Sequence, residues 1–491
     1  MERLSAKGLS SKGPGALPAD IAVPGYDRAQ VTNGIVHLGI GAFHRGHMAV
    51  YVDTLLADDP HWGIIGASLR RPDTKVALEP QDGLYTVSAR DGAGEQLRII
   101  GAIREIIDAS ADVAPLIARM AAPEIRIFSL TVTEKGYCHD PASGALRADH
   151  PDVVADLQNP ASPRSVPGVI TAALAARRAG GAGPVTVLSC DNLQGNGEIA
   201  RAAITGFARR VDPALADWIA AHVTFPSTMV DRIVPATTDA DRAAIAARLG
   251  VEDAWPIVTE PFHQWVIEDH FAAGRPAFDR AGAQLVADVA PFELMKLRLL
   301  NGSHSTLAYL GQLLGHEEVA QAIRDPLLGA MIPRMMADEI RPTLDVPGID
   351  LGDYCAALVA RFANPSLHHR TAQIAMDGSQ KLPQRIIAPL RARAGKGLAS
   401  PLLTLSLAGW IAYMMQRGDT IADPQAALLQ TAAQGQSPAQ ATARVLGLTQ
   451  IFGPMDDFLR DLIPQTAPHV ARIIEGGPAA AIQYALKGAN A

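Results

Sequence analysis

Cysteine is almost missing from this chain: its 491 residues include only three, Cys138, Cys190 and Cys355, set far apart and with no pair at metal-ligand or redox spacing. A disulfide framework and a cysteine-held zinc are thereby excluded as organising devices, and all three thiols are expected as reduced core residues. An excess of positive charge is missing too. The formal net charge of −7 gives no general attraction to nucleic acid, whose binders carry basic patches that exchange for counterions. An acidic small molecule would need a local cluster of cations to overcome the average field. Long apolar runs are also absent. The longest, Leu402 to Met415, is interrupted by Thr404, Ser406 and Gly409 and falls short of the roughly 20 residues needed to cross a bilayer. A buried helix is expected there, with no membrane partner. The stretch from Met1 to Asp20 is rich in Gly, Ser, Pro and Lys and lacks the apolar centre of a secretory signal, so a cytoplasmic location is expected.

What is present suits ordinary globular folding, with 48% hydrophobic and 19% charged residues and none of the bias that keeps a chain disordered. Single cores stop growing near roughly 250–300 residues, so this length implies two domains. Ile35 to Leu38 is a short β-rich run that passes directly into Gly39-Ile-Gly41, with a helix-compatible stretch from His47 to Leu56 behind it. Further β-rich runs lie at Gly63 to Ala67, Leu97 to Ile100, Ile125 to Leu130 and Val185 to Ser189, separated by Ala-rich helical segments such as Asp112 to Met120 and Val169 to Arg178. This alternation predicts a parallel sheet covered by helices on both faces. From about Pro291 the β-branched runs thin out and Ala- and Leu-rich segments of helical length take over, so the second domain is predicted to be mostly helical. The boundary is placed near residue 285, giving domains over 1–285 and 286–491.

Glycines at 39 and 41 after a strand permit a tight turn and close approach to a pyrophosphate, which the next helix N-terminus favours through its free N–H groups. Where a third glycine would complete the fingerprint stands His44, so a glycine-rich turn of another α/β protein fits equally well. Downstream, Asp73 is a carboxylate suited to the ribose hydroxyls of NAD, whereas Arg70 and Arg71 leave the extra phosphate of NADP open.

The densest chemistry lies between Glu293 and His304. Counted at about 100° per residue, Glu293, Lys296, Asn301 and His304 share one helical face, Asn301 lying furthest round, near 140° from Lys296. Met295, Leu297, Leu299 and Leu300 make that helix apolar nearly all round, so these groups should be buried, which is costly unless they are paired or functional. One reading is a buried Lys296–Glu293 ion pair with a satisfied core His304. The other is catalytic: a desolvated lysine has a lowered pKa and can serve as a general base, while an asparagine amide can donate to an oxygen that gains charge. A second asparagine, Asn192, follows the strand Val185 to Ser189 at the end that faces the ligand crevice in open α/β sheets, where it could meet Asn301 across the domain interface. Read from the sequence alone, an asparagine in such a loop is more often a turn residue.

These segments carry a resemblance. Gly39-Ile-Gly-Ala-Phe-His-Arg-Gly-His47, Ser129-Leu-Thr-Val-Thr-Glu-Lys-Gly-Tyr137, Ser189-Cys-Asp-Asn192, Met229-Val-Asp-Arg-Ile233, Gln264-Trp-Val-Ile-Glu-Asp269, Lys296-Leu-Arg-Leu-Leu-Asn-Gly-Ser-His304 and Asp377-Gly-Ser-Gln-Lys381 are similar, over nearly the whole chain, to the polyol-specific long-chain dehydrogenases/reductases of the mannitol dehydrogenase family. The resemblance implies a Rossmann-like NAD-binding domain followed by a mostly α-helical substrate and catalytic domain. It implies hydride exchange between NAD and a secondary alcohol of a linear sugar acid or polyol, without a metal, by a monomer or small homo-oligomer. Gly39, Ile40, Gly41, Ala42, Phe43 and Asp73 would hold the cofactor. Lys296 would be the general base, Asn192 and Asn301 would bind the reacting oxygen, His304 would orient the substrate, and Glu293 would exchange protons with solvent. Asp231 and Lys381 would touch the substrate. The chain departs from the mannitol branch at Lys135, Arg298 and Gln373. The first two replace glycines by cations, which suits a substrate carboxylate such as that of D-mannonate and equally allows ion pairs with nearby acids such as Glu134. The alternatives are a polyol dehydrogenase acting on mannitol or arabinitol, and a dinucleotide-binding sensor without turnover.

Overall fold

The computed structural model describes residues 2–7, 18, 20–141, 143–417 and 420–488. The opening segment read above for a secretory signal lies largely outside them. The chain divides into two compact units, Met1–Ala290 and Pro291–Ala491.

The first unit is built on six strands: β1 (Asn33–Leu38), β2 (Gly63–Ser68), β3 (Ile103–Asp108), β4 (Ile127–Leu130), β5 (Val185–Ser189) and β6 (Val223–Thr224). They lie in the order β3-β2-β1-β4-β5-β6, every neighbour parallel. This is the doubly wound order whose direction reverses between β1 and β4, where a crevice opens beyond the carboxyl ends of the strands. Successive side chains go to opposite faces. Ile35, Ile64 and Ile127 join one core with Met48, Val52 and Leu55 of a helix, Met48–Leu55. Their neighbours Val36, Ile65 and Phe128 join a second core with Leu116, Val169 and Ile170 from the helices Ala114–Ala121 and Val166–Gly180. Burial on both faces is why these strands read as continuous apolar runs rather than as alternating ones.

One predicted strand belongs elsewhere. Leu97 to Ile100 ends the strand Gly94–Ile100, which pairs antiparallel with Tyr85–Asp91 in a separate four-stranded sheet with Ile21–Ala22 and Ile257–Thr259. The Asp91 carboxylate closes this hairpin by accepting the N–H groups of Ala93 and Gly94. The place in the parallel sheet is taken by β3, whose sequence Ile-Arg-Glu-Ile-Ile-Asp is more polar because it forms an edge.

The second unit has helices and connecting loops but no strand among its described residues, apart from one isolated bridge between Glu318 and Arg370. Its centre is α1 (Pro401–Arg417), buried from Leu402 to Met414, which packs against the helix Gly302–Leu313 and the helical segment Asp457–Gly488, which is kinked at Gly477. Within α1 the Ser406 hydroxyl pairs with that of Thr306 at 2.6 Å. At its start the buried Glu339 carboxylate accepts the N–H groups of Leu402 and Leu403 at 2.9 and 2.7 Å, supplying the acceptors that a helix N-terminus lacks. No helix of the described residues is long and apolar enough to cross a membrane. Cys138, Cys190 and Cys355 are buried and unpaired.

Candidate active site

In the first unit the turn after β1 is shaped by Gly39. Its φ is +96°, and a Cβ there would stand 2.1 Å from the Thr131 carbonyl oxygen, so only glycine lets the chain pass this close to β4. The Gly39 carbonyl accepts from Thr131 Oγ1 at 2.7 Å. Beneath it His37 pairs with Ser129 at 2.8 Å and stacks on His44, ring centroids 3.4 Å apart. Burial drives both imidazoles below their ordinary pKa, His37 to about 3, so they are neutral. The third fingerprint position is thus filled by a ring under the turn rather than by a glycine. Gly41 then precedes the short helix Ala42–Gly46, with no side chain capping its first N–H groups.

A cavity of about 530 Å³ opens over this turn, lined by Gly39, Ile40, Gly41, Asp73 and the Thr131–Thr133 segment among others. The glycine cradle, the uncapped helix start and the carboxylate one strand away fit a dinucleotide. Arg70 and Arg71 line the same cavity and are exposed, as is Asp73. Ala42 and Phe43 begin the short helix, and Phe43 stacks on His47 at 5.0 Å. Trp255, Arg164 and Cys138 also line the cavity, and no local pattern in the sequence marked them. Of the remaining candidates in this unit, Asn192 is exposed just beyond β5 and Lys135 is exposed in the turn Glu134–Tyr137. Asp231 is buried at the end of the strand Thr228–Asp231.

In the second unit Glu293, Lys296, Asn301 and His304 are all buried. The segment carrying them is not a uniform α-helix. Between α-helical turns at Ala290–Met295 and Gly302–Leu313, residues Lys296–Asn301 form a π-helical turn, and the Gly302 N–H donates to the Leu297 carbonyl five positions back. Closing on five residues rather than four brings Asn301 into line with Lys296, one turn further on, and corrects the wide angle that the α-helical count assigned to it. Such single turns are frequent at functional sites, where one extra residue re-aims the side chains.

His304 packs on Phe362 at 4.6 Å and edge-on to His369 at 5.2 Å. Its Nε2 is buried without a hydrogen-bond partner. Burial holds its pKa well below the ordinary value, and His369, Arg361, Arg385 and Lys296 push the same way. The ring is therefore neutral and surrounded by cationic or imidazole groups. Arg385 donates to the Asn301 carbonyl at 3.4 Å and to Ser305 Oγ at 3.1 Å. Arg298 is partly buried and donates to the Thr343 carbonyl at 3.0 Å; its pKa is lowered by burial, with no carboxylate beside it to offset the shift. Lys381 donates to the carbonyls of Met376 and Ile374 at 2.6 and 3.3 Å, and burial brings its pKa down to about 8. Gln373 is exposed in the short helix Thr371–Ala375. Among the described residues no group of three or more His, Cys, Asp or Glu side chains could hold a metal ion.

A doubly wound sheet with a glycine turn at its switch point, joined to a helical unit with a buried lysine, asparagine and neutral histidine on one segment, has the parts of a dinucleotide-dependent oxidoreductase. Comparison with known proteins specifies the class. Residues 33–280 match the mannitol dehydrogenase Rossmann domain and residues 288–470 the mannitol dehydrogenase C-terminal domain. D-mannonate oxidoreductase of Escherichia coli is 46% identical over 92% of this chain and 94% of its own length. Mannitol 2-dehydrogenase of Pyrenophora tritici-repentis is 42% identical over 94% and 81%. The solved structure of Pseudomonas fluorescens mannitol 2-dehydrogenase, a ternary complex with NAD and D-mannitol, superposes with a TM-score of 0.87 at 38% identity, covering 99% of each chain. The chain belongs to the mannitol dehydrogenase family of oxidoreductases.

Proposed function

We propose that this protein is an NAD-dependent dehydrogenase that interconverts D-mannonate and D-fructuronate by hydride transfer at C5. The observation that carries the sugar-acid reading is the setting of Arg298. Arg298, two positions beyond Lys296, is partly buried with no carboxylate offsetting its charge, and Arg361 and Arg385 both act on His304. A guanidinium in such a setting is matched by a substrate carboxylate, which it binds through paired, charge-assisted hydrogen bonds. A neutral polyol would leave that charge unanswered. The 46% identity to a D-mannonate oxidoreductase supports the same reading.

NAD, held by the Gly39–Gly41 turn and Asp73, supplies the hydride acceptor. Lys296 removes the hydroxyl proton, and the Asn301 amide, one π-turn along, donates to the oxygen as charge develops there. The neutral His304 ring offers its buried Nε2 to a substrate hydroxyl and so orients the sugar. Glu293 exchanges the proton with solvent. Asn192, Asp231 and Lys381 keep the substrate roles that the family resemblance gives them, and Lys135 and Gln373, where the chain departs from the mannitol branch, are assigned to the substrate as well.

Initial rates with D-mannonate, D-altronate, D-mannitol and D-arabinitol decide the substrate, and D-mannonate is expected to be preferred. Substituting Lys135 and Arg298 together by alanine is expected to lower kcat/KM for D-mannonate by at least about tenfold more than for D-mannitol. Equal losses on acid and polyol would sink the carboxylate assignment. At the cofactor turn, Gly39→Ala should weaken NADH binding by about tenfold or more, because a Cβ collides with the β4 backbone and φ is positive. A fluorescence titration with unchanged affinity would show that the turn does not hold the dinucleotide.

A further inference from the structure

The wall of the cofactor cavity formed by Thr131, Val132, Thr133, Gly136 and Cys138 contains an unusual backbone. Thr133 has φ +65° and ψ 163°, a region occupied almost only by glycine, and such outliers persist where the surroundings over-determine them. The holding group is Asp191. One of its carboxylate oxygens accepts the Thr133 N–H at 2.9 Å, and the other accepts the Val132 N–H at 3.0 Å and the Tyr137 hydroxyl at 2.7 Å. Tyr137 is in turn 2.5 Å from Ser189 Oγ. The carboxylate is buried, and the influences on its ionisation are desolvation, which raises the pKa, opposed by these three hydrogen bonds, with no cation among them. Its own backbone is fixed as well: the Asp191 carbonyl accepts from Asn196 Nδ2 and the Leu193 N–H, both at 2.9 Å. The carboxylate therefore reaches from the end of β5 to the turn after β4 and grips it at two successive N–H groups.

We propose that Asp191 is a positioning residue for the dinucleotide: it forces the Val132–Thr133 turn into the strained shape that completes the wall of the cofactor cavity, and so sets cofactor affinity without touching the cofactor. A purely structural carboxylate would have no reason to hold a threonine where glycine belongs. An asparagine at 191 cannot serve, because its amide N–H₂ would face an N–H or O–H donor in either orientation.

The test is a double-mutant cycle on NADH binding, followed by fluorescence titration of the full-length protein, a readout that does not depend on the sugar substrate. Asp191→Asn is expected to raise the NADH dissociation constant by about tenfold or more, as the strain held by the carboxylate is released. Thr133→Gly adopts the observed backbone without strain, so the double variant D191N/T133G should recover most of that loss. Binding by D191N within about twofold of the parent would overturn the proposal, since a strain-holding group cannot be lost at so small a cost. A double variant as weak as D191N would overturn it too. Should D191N alone fail to fold, the double variant decides: a folded protein that binds NADH close to the parent affinity supports the assignment, and an unfolded or non-binding one overturns it.

Discussion

Replacing Lys296 by methionine is expected to lower kcat for oxidation of the sugar acid by roughly 10²–10⁴-fold, the range that a positioned general base contributes. Methionine has a similar length and an apolar tip, so it fills the buried position at the start of the π-turn without leaving a cavity. What it removes is the proton acceptor. Two further readings separate this loss from a folding defect. NADH titration should be unchanged, because the cavity proposed to receive the dinucleotide is lined, among the described residues, by residues of the first unit. The limb of the kcat/KM–pH profile that reports the base should disappear in the variant. His304 cannot take over that limb, because burial keeps its imidazole neutral across the working range. A K296M protein that retains more than about a tenth of parental kcat would remove Lys296 from the base role.

Much of the first unit could be read from the sequence because its strands are buried on both faces. Ile35–Leu38, Gly63–Ala67 and Val185–Ser189 show as uninterrupted apolar runs, and each lies in the parallel sheet. The misplacement of Leu97–Ile100 has the same origin. A half-buried hairpin strand ends in an apolar pair that resembles a buried strand, while the real edge strand Ile103–Asp108 carries Arg104, Glu105 and Asp108 and offers no such run. Residue composition reports burial, and burial does not name the neighbouring strand.

At the site, the sequence identified the groups but not their phase. Burial of Lys296, Asn301 and His304 follows from the apolar residues among them, but the count of 100° per residue assumes a uniform α-helix. The π-turn at Lys296–Asn301 violates that assumption, and nothing in Lys-Leu-Arg-Leu-Leu-Asn announces it. It is stabilised from a distance: two more π-helical turns, Met335–Ile340 and Pro383–Ile387, pack against it. The placement of Arg361, His369 and Arg385 beside His304 could not be read for the same reason, because they reach it from segments some 60 to 80 positions away. Asp191 was legible only as the neighbour of Asn192, since its grip on Val132 and Thr133 depends on the adjacency of β4 and β5.

Arg385 is where that missing information has its largest functional consequence. Substituting it by methionine is expected to lower kcat/KM by about a hundredfold on sugar acids and polyols alike, the order of loss that follows a misplacement of about 1 Å at a reacting centre. The guanidinium is buried without an acidic partner, which lowers its pKa to about 10, and it remains charged at every working pH. It binds the Asn301 carbonyl and Ser305 Oγ together. It thereby ties the end of the π-turn to the start of the following α-helix, at the junction where the hydrogen-bond register changes from five residues to four. Methionine keeps most of the volume and neither hydrogen bond, so the Asn301 carbonyl loses its clamp and the amide proposed to meet the reacting oxygen loses its fixed direction. Lysine keeps the charge but not the planar fork, and it should recover only part of the loss. This separates Arg385 from Arg298. If Arg385 serves mainly as a charge for the substrate carboxylate, R385M should spare D-mannitol and R385K should restore D-mannonate. If it serves mainly to hold the π-turn, both substrates fall together and lysine does little, and that is the outcome expected from its contacts with a backbone carbonyl and a hydroxyl within the protein itself.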